Sequence, residues 1–207
     1  MIKILNILGV EKHLEDITGV VFDMDDTLYS EKHYVASGYK KIAEYLNKPN
    51  AAQEFWDYFE AGKPAIDEYL KRNGKTELKE KCLDVYRTQI PDIKLYDGVK
   101  EMLARLKNSN KKLGIITDGR VEGQKNKILS LGLDKLVDDI IITDELGGIE
   151  YRKPNDTAFK IMQSRWQIPF EDMVYIGDNI KKDFIAPEKL GMKYIYFFNS
   201  DGLYSNI

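Results

Sequence analysis

The hydrophobic pattern contains five short continuous apolar runs, four of them after residue 96, separated by segments with helical spacing. Runs of this kind are typical of strands buried on both faces of a parallel sheet. They cover residues 20–22, 113–116, 140–142, 173–176 and 194–198. Because strands that alternate with helices are joined by right-handed crossovers, we predict an α/β fold: a doubly wound, Rossmann-like parallel sheet with helices on both faces.

Residues 31–89 have a different pattern, in which apolar positions recur at helical spacing and no strand-like run occurs. Amphipathic helices are predicted here, with turn-forming sequences between them. We therefore predict a helical domain at residues 30–94, inserted into an α/β core made of residues 1–29 and 95–207. Residues 2–14 leave three interpretations open: an extra strand, an extra helix, or the remnant of a fusion junction.

Composition narrows the class of protein. The 207 residues are 43% hydrophobic and 31% charged with a net charge of −3, so a basic nucleic-acid surface is not expected. The longest apolar runs are far shorter than a membrane span, and the first eight residues lack a signal-peptide pattern. The single cysteine, Cys82, excludes an internal disulfide and is predicted to be a buried helix residue. We expect a cytoplasmic enzyme without a nucleic-acid or membrane partner.

Polar residues follow the predicted strands at the point where each strand ends. The carboxyl ends of parallel strands meet at one edge of a sheet, so these side chains are expected to share a crevice. They are Asp23 and Asp25 after the first run, Thr117 after the second, and Asp178 followed by Asp183 after the fourth, with Lys153 between the third and fourth runs. Carboxylates, a hydroxyl and an ammonium group suit Mg²⁺ and a phosphoryl group. Taken singly, each residue could equally cap a helix or lie at the surface.

Their order along the chain is more specific than any one of them. Asp-x-Asp-x-Thr at residues 23–27, then Thr117, Lys153-Pro154, and Gly177-Asp178 followed by Asp183 resemble the four motifs of the haloacid dehalogenase (HAD) superfamily. The competing dipeptide Lys63-Pro64 is rejected because it precedes the Thr117 strand. The resemblance extends from about residue 17 to residue 198, and it implies a phosphohydrolase.

The resemblance also implies residue roles. Asp23 matches the nucleophile that forms an aspartyl-phosphate, and Asp25 matches the general acid and base. Thr117 and Lys153 match the phosphoryl-binding positions, and backbone amides of Asp118 and Gly119 would add anion-binding donors. The implied Mg²⁺ ligands are Asp23, Asp178 and the main-chain carbonyl of Asp25, with Asp183 supporting the site or binding the metal through water.

The helical insertion resembles the C1 cap of this superfamily, which closes over a small substrate. Ile-Thr-Asp-Gly at 116–119 followed by Gln124-Lys125-Asn126-Lys127-Ile128 resembles the branch that contains N-acylneuraminate-9-phosphatase and pyrimidine nucleotidases. By position alone, the candidate contacts for the leaving group are Tyr29, Lys32, His33 and Arg120. The expected partner is a small phosphorylated metabolite, and the expected state is a monomer or a homodimer.

Three alternatives stay open at this point. An aspartate at position 25 favours a phosphatase, but a phosphotransferase or mutase can use the same residues. A phosphorylation-receiver module also combines acids, a threonine and a lysine on a parallel sheet, although it lacks a helical insertion and separates its acidic pair from its phospho-accepting aspartate. The third alternative is a HAD fold that has lost catalysis and serves for binding.

Overall fold

The predicted parallel sheet is present in the computed structural model, which describes residues 1–203. Its strands are β1 Ile2–Ile4, β2 Gly19–Phe22, β3 Lys112–Thr117, β4 Asp139–Ile142, β5 Met173–Gly177 and β6 Lys193–Phe197. They are ordered β1-β6-β5-β2-β3-β4, and each neighbouring pair is parallel. All residues of β2 and β5 are buried, which explains why their sequences are continuously apolar.

From β2 onward, helices separate successive strands as the periodicity predicts, and four of them form the predicted helical insertion. They are α1 Glu31–Tyr45, α2 Ala51–Glu60, α3 Ala65–Arg72, α4 Lys79–Thr88, α5 Val99–Asn108, α6 Val121–Leu131, α7 Leu133–Leu136, α8 Thr157–Trp166 and α9 Ile185–Leu190. Gly132 and Gly191 adopt left-handed conformations, with φ of 67° and 73°, and end α6 and α9. Across residues 1–203, no helix has both the length and the apolar character needed to cross a membrane.

The direction of winding reverses beside β2. The chain passes from β2 to β3 and β4 on one side, then continues with β5 and β6 on the other side of β2. Right-handed crossovers therefore place α5 and α6 on one face and α8 and α9 on the opposite face. One buried cluster accordingly joins Phe159 and Met162 of α8 and Ala186 of α9 to Val21 and Tyr175 of the sheet. The predicted fold class is confirmed, and the ends of β2 and β5 lie at the switch point where α/β sheets bind ligands.

The first residues form an extra strand, which decides among the three interpretations. β1 pairs in parallel with β6, with Ile2 opposite Ile195 and Ile4 opposite Phe197. A 3-10 segment at Ile7–His13 follows, and its Val10 is fully buried. Residues 1–13 thus extend the core sheet by one edge strand.

The chain divides into two compact units, one containing residues 1–31 and the chain from Lys94 onward, the other Lys32–Ile93. In the first unit, the two segments that flank the insertion pair with each other. Tyr29 and Leu95 form an antiparallel bridge, and the Tyr96 amide donates to the Leu28 carbonyl at 3.0 Å. The role of the second unit as a cap stays a prediction.

Aromatic side chains form the centre of the second unit. The Tyr39 ring is stacked on Phe55 with 5.4 Å between centroids, and Phe55 lies 4.4 Å from Tyr69. Cys82 is buried and free, as predicted. Tyr39, Phe55 and Tyr69 therefore belong to the core of the second unit.

Gly38, inside α1, is required by the close approach of another helix. A Cβ at this position would lie 2.5 Å from Cε2 of Tyr86 and 2.7 Å from the Gln89 amide nitrogen. Alanine stabilises a helix by about 1 kcal/mol relative to glycine, but overpacking typically costs about 1–3 kcal/mol.

We expect Gly38→Ala to lower the free energy of unfolding by about 1–2 kcal/mol in urea titrations. Lys40→Ala, an exposed control on the same helix, should change it by less than about 0.5 kcal/mol. A Gly38→Ala protein at least as stable as the wild type would contradict this account.

Candidate active site

Three carboxylates meet at the ends of β2 and β5. Asp23 directly follows β2, and its amide extends the sheet pairing by donating to the Ile176 carbonyl at 2.8 Å. Asp178 follows β5, and Asp183 lies five residues further on. One carboxylate oxygen from each of the three lies within 4.8 Å of the others. This is a set of hard oxygen donors at a spacing close to that of ligands around one cation, so it fits Mg²⁺.

The electrostatics of this cluster favour a cation. Burial, opposed by the charge of Lys153, raises the pKa of Asp23 to about 7. Burial together with the charges of Asp23 and Asp183 raises the pKa of Asp178 to about 9. These carboxyl groups are destabilised in their charged forms, so a bound divalent cation would relieve both desolvation and mutual repulsion.

Lys153 provides one positive charge to the same cluster. Its side chain is 0% exposed, and its ammonium pairs with Asp23 and, at 2.9 Å, with Asp183. It also donates to the Tyr175 hydroxyl at 2.7 Å. Burial alone would lower the pKa of Lys153, but Asp183 and Asp23 outweigh burial and hold that pKa well above its usual value. Lys153 is therefore a buried cation that contacts two of the three acids.

Asp25 has a separate set of partners. The Tyr29 hydroxyl donates to Oδ1, and Lys127 donates to the same oxygen at 2.7 Å. Gln124 donates to Oδ2 at 2.9 Å and to the Thr117 hydroxyl at 2.6 Å. Burial would raise the pKa of Asp25, but Lys127 and the hydrogen bonds outweigh it and lower the pKa. Asp23 and Asp25, two residues apart, thus have pKa values shifted in opposite directions.

A cleft of about 280 Å³ opens onto these groups within the first unit. It is lined by Asp23, Asp25, Glu31, Asp118, Arg152, Lys153, Asp178, Asn179 and Lys182. Two of the lining cations are occupied by carboxylates, because Lys182 lies 2.9 Å from Asp118 and Arg152 makes a two-pronged ion pair with Asp144 at 2.7 Å. Five of the nine lining side chains are carboxyl groups, and Lys153 lies beside Asp23.

The structure places the remaining predicted residues in different environments. Thr117 is fully buried at the end of β3, and Asp118 and Gly119 lie in the loop before α6. Asp118 accepts from Thr143 at 3.0 Å and from the Lys153 amide at 3.1 Å, so its carboxylate fixes the loop that carries Lys153. Arg120 is exposed and is not among the residues that line the cleft.

The other three candidates for leaving-group contacts also differ from one another. Tyr29 is fully buried with its hydroxyl on Asp25, which corrects its assignment: it supports Asp25 instead of facing the cleft. Lys32 and His33 belong to the second unit, where they begin α1, and their contact with substrate stays a prediction.

The sequence analysis does not predict as site residues Glu31, Arg152, Asn179 and Lys182, which line the cleft, or Gln124 and Lys127, which hold Asp25. Gln124 and Lys127 were noticed only for their family resemblance, although their spacing of three on a helix after Thr117 places them on one face. Glu31 lines the cleft, and burial together with Asp25 raises its pKa to about 8. No pattern in the sequence distinguishes Glu31 from an ordinary helix-start carboxylate.

A family model described as haloacid dehalogenase-like hydrolase matches residues 20–197. The chain belongs to the haloacid dehalogenase-like hydrolases. The resemblance stated from the motifs is therefore confirmed, and the protein is a hydrolase of this family.

Proteins named as phosphatases are similar to most of the chain. A glyceraldehyde 3-phosphate phosphatase of Methanocaldococcus jannaschii is 30% identical in an alignment of 191 residues, and the match covers 85% of this chain and 82% of that one. A phosphoglycolate phosphatase of Salmonella typhi is 23% identical in an alignment of 205 residues, and the match covers 86% of this chain and 80% of that one.

Solved structures of haloacid dehalogenase-like hydrolases share the fold. The hydrolase YfnB of Bacillus subtilis, crystallised with magnesium, has a TM-score of 0.64 at 22% identity and covers 87% of this chain and 86% of its own. A subfamily IA hydrolase of Geobacter sulfurreducens has a TM-score of 0.66 at 17% identity, with 87% of each chain covered. These likenesses support the architecture described above.

Proposed function

We propose that this protein is a Mg²⁺-dependent phosphatase that hydrolyses a small phosphomonoester through an aspartyl-phosphate on Asp23. The observation that carries the proposal is the position of Asp23, which lies at the cleft between Lys153 and two further carboxylates. Asp25, on the same loop, also lines the cleft and has a different set of partners. Two carboxylates of one loop with separate sets of partners suit separate roles, one as the nucleophile and one as the proton-transfer group.

In the first step, an Asp23 oxygen forms a bond to phosphorus while the bond from phosphorus to the leaving oxygen breaks. Asp25 gives its proton to that oxygen, so the alcohol leaves neutral. In the second step, Asp25 takes a proton from a water molecule that attacks phosphorus, which releases phosphate and regenerates Asp23. Lys153 and the Thr117 hydroxyl would bind the phosphoryl oxygens and neutralise their charge.

Mg²⁺ would be held by Asp23, Asp178 and the main-chain carbonyl of Asp25, with Asp183 as a further or water-mediated ligand. When bound, it supplies positive charge that offsets the repulsion between the Asp23 carboxylate and the phosphoryl group. The acidic donor set within 4.8 Å supports this assignment.

The substrate class follows from the relatives. The M. jannaschii relative is named for glyceraldehyde 3-phosphate and the S. typhi relative for phosphoglycolate, both small phosphorylated metabolites. We propose glyceraldehyde 3-phosphate as the first substrate to test, because the M. jannaschii relative has a higher sequence identity to this chain than the S. typhi relative. A cytoplasmic location, a monomeric or homodimeric state and the absence of nucleic-acid and membrane partners stay predictions.

The test is a phosphate-release assay with p-nitrophenyl phosphate, glyceraldehyde 3-phosphate, phosphoglycolate, sugar phosphates and nucleoside monophosphates. We expect multiple turnovers with Mg²⁺, loss of activity to background in excess EDTA, and recovery when Mg²⁺ is restored. Mg²⁺ should also raise the melting temperature of the wild type and have a smaller effect on Asp178→Asn, because ligand binding to the folded state stabilises it.

Three results would overturn the proposed function. A single stoichiometric phosphorylation without turnover would favour a receiver module, and transfer of the phosphoryl group to a sugar in preference to water would favour a mutase. The absence of Mg²⁺-dependent release from every substrate class would favour the non-catalytic alternative.

A further inference from the structure

Three side chains hold the carboxylate of Asp25. Lys127 at 2.7 Å and the Tyr29 hydroxyl both donate to Oδ1, while Gln124 alone donates to Oδ2, at 2.9 Å. The side chain of Lys127 is 6% exposed and that of Asp25 is 17% exposed, so this arrangement is largely shielded from water. A carboxylate has about four lone-pair positions. Within residues 1–203 the donors fill both positions of Oδ1 and one of Oδ2, which leaves the last position on Oδ2 for a transferable proton.

Two of the three donors are presented by one helix. Gln124 and Lys127 lie three residues apart on α6 and therefore on the same face. The loop before α6 contains Gly119 with φ of 144°, and a Cβ there would lie 3.0 Å from the Gln124 side chain. Glycine thus leaves room for Gln124, which also donates to Thr117 at 2.6 Å. Through the Gln124 side chain, α6 therefore contacts both Asp25 and Thr117 at the end of β3.

We propose that Gln124 and Lys127 are positioning residues that orient Asp25 so that Oδ2 delivers the proton to the leaving oxygen. This inference depends on the proposed phosphatase function. Lys127 anchors Oδ1 together with Tyr29, and Gln124 fixes the rotation of the carboxylate through Oδ2. Without these bonds the carboxylate could rotate about its terminal torsion, which has a broad and roughly two-fold preference. A misdirected acid loses part of the 10²–10⁴-fold rate contribution that is typical of positioned proton transfer.

The test compares two leaving groups. p-Nitrophenolate leaves as a stable anion and needs little protonation, whereas the alkoxide of glyceraldehyde 3-phosphate needs a proton as it leaves. The readout is the ratio of kcat/KM for glyceraldehyde 3-phosphate to kcat/KM for p-nitrophenyl phosphate. Because phosphate binding, metal binding and the fraction of folded enzyme affect both substrates alike, the ratio isolates the proton delivery. kcat/KM also reports only steps up to the release of the alcohol, before the water step that the substrates share.

The variants are Gln124→Met and Lys127→Met, with Asp25→Asn as the reference for complete loss of the acid. We expect each positioning variant to lower the ratio by about 10-fold or more, and Asp25→Asn to lower it further. Lys127→Arg should recover part of the ratio because it restores a cationic donor. Lys125→Met is the matched control, since Lys125 is on the same helix but pairs with Glu145 at the surface.

The outcomes separate this inference from the proposed function. Wild-type enzyme that hydrolyses none of the phosphate esters in the release assay described above would overturn the proposed function itself, and an alkyl phosphate from that assay that is hydrolysed replaces glyceraldehyde 3-phosphate in the ratio if the latter is not a substrate. Wild-type activity on both substrates, with a ratio that falls in Asp25→Asn but stays within twofold in Gln124→Met and Lys127→Met, would overturn only the positioning role. An unchanged ratio in Asp25→Asn would remove Asp25 as the acid, and the positioning role with it.

Discussion

Replacing Asp23 with asparagine is expected to reduce kcat for p-nitrophenyl phosphate by about 10⁴-fold or more, the scale seen when a covalent nucleophile is removed. Asparagine keeps the size of the side chain but removes the charged oxygen that would attack phosphorus. The measurement is steady-state phosphate release in saturating Mg²⁺. No phosphorylated protein should accumulate in the variant when it is quenched with acid and examined by mass spectrometry.

Asp97→Asn is the matched control for this variant, because Asp97 is a fully exposed carboxylate of the same unit. It should keep wild-type kcat and KM. Mass spectrometry of the Asp23→Asn protein must also show that the asparagine has not deamidated back to aspartate. Turnover near the wild-type rate in verified Asp23→Asn protein would exclude Asp23 as the nucleophile.

Replacing Lys153 with methionine is expected to affect both activity and stability. The ammonium is buried and pairs with Asp23 and Asp183, so its removal leaves carboxylates without their protein cation. Breaking a buried ion pair from one side costs about 3–5 kcal/mol, and proton uptake by the acids would reduce that figure here. We expect urea unfolding in EDTA to show a loss of about 2–4 kcal/mol. Phosphate release should fall by about 10²-fold or more, as when a donor to a developing oxyanion is removed.

Two further variants serve as controls for the change in the free energy of unfolding. Lys189→Met removes a cation that is 72% exposed and should cost less than about 1 kcal/mol. The double variant Lys153→Met/Asp183→Asn should regain part of the lost stability, because one unpaired carboxylate is removed as well. If Lys153→Met and the wild type have the same free energy of unfolding in EDTA, the ion pairs of Lys153 with Asp23 and Asp183 do not stabilise the folded protein.

The fold and the centre of the site could be predicted because they depend on local rules. Asp23 and Asp178 each follow a continuous apolar strand, and parallel strands end at the same edge, so their meeting follows from topology. Lys153 was predicted from its order relative to these strands. By contrast, β1 has three residues, too few to show a period, and only its pairing with β6 identifies it.

Residues whose importance arises from tertiary contact were harder to recognise. Lys127 and Gln124 are polar positions on a helix, and by pattern alone they resemble a solvated face. Both are buried, because the loop after β2 brings Asp25 and Tyr29 against α6. Tyr29 is predicted to contact the leaving group, whereas its hydroxyl donates to Asp25. The direction in which a side chain points depends on tertiary packing, which a single sequence does not reveal.

The bridge between Tyr29 and Leu95 has a consequence for how the helical insertion relates to the rest of the chain. The two points at which the insertion joins the core are paired with each other through their main chains. The core therefore holds these two points together without the insertion. The length of the inserted segment then has little influence on the register of β2 against β3. A stem of this kind lets an insertion be lengthened, shortened or exchanged while the carboxylates at the strand ends stay in place.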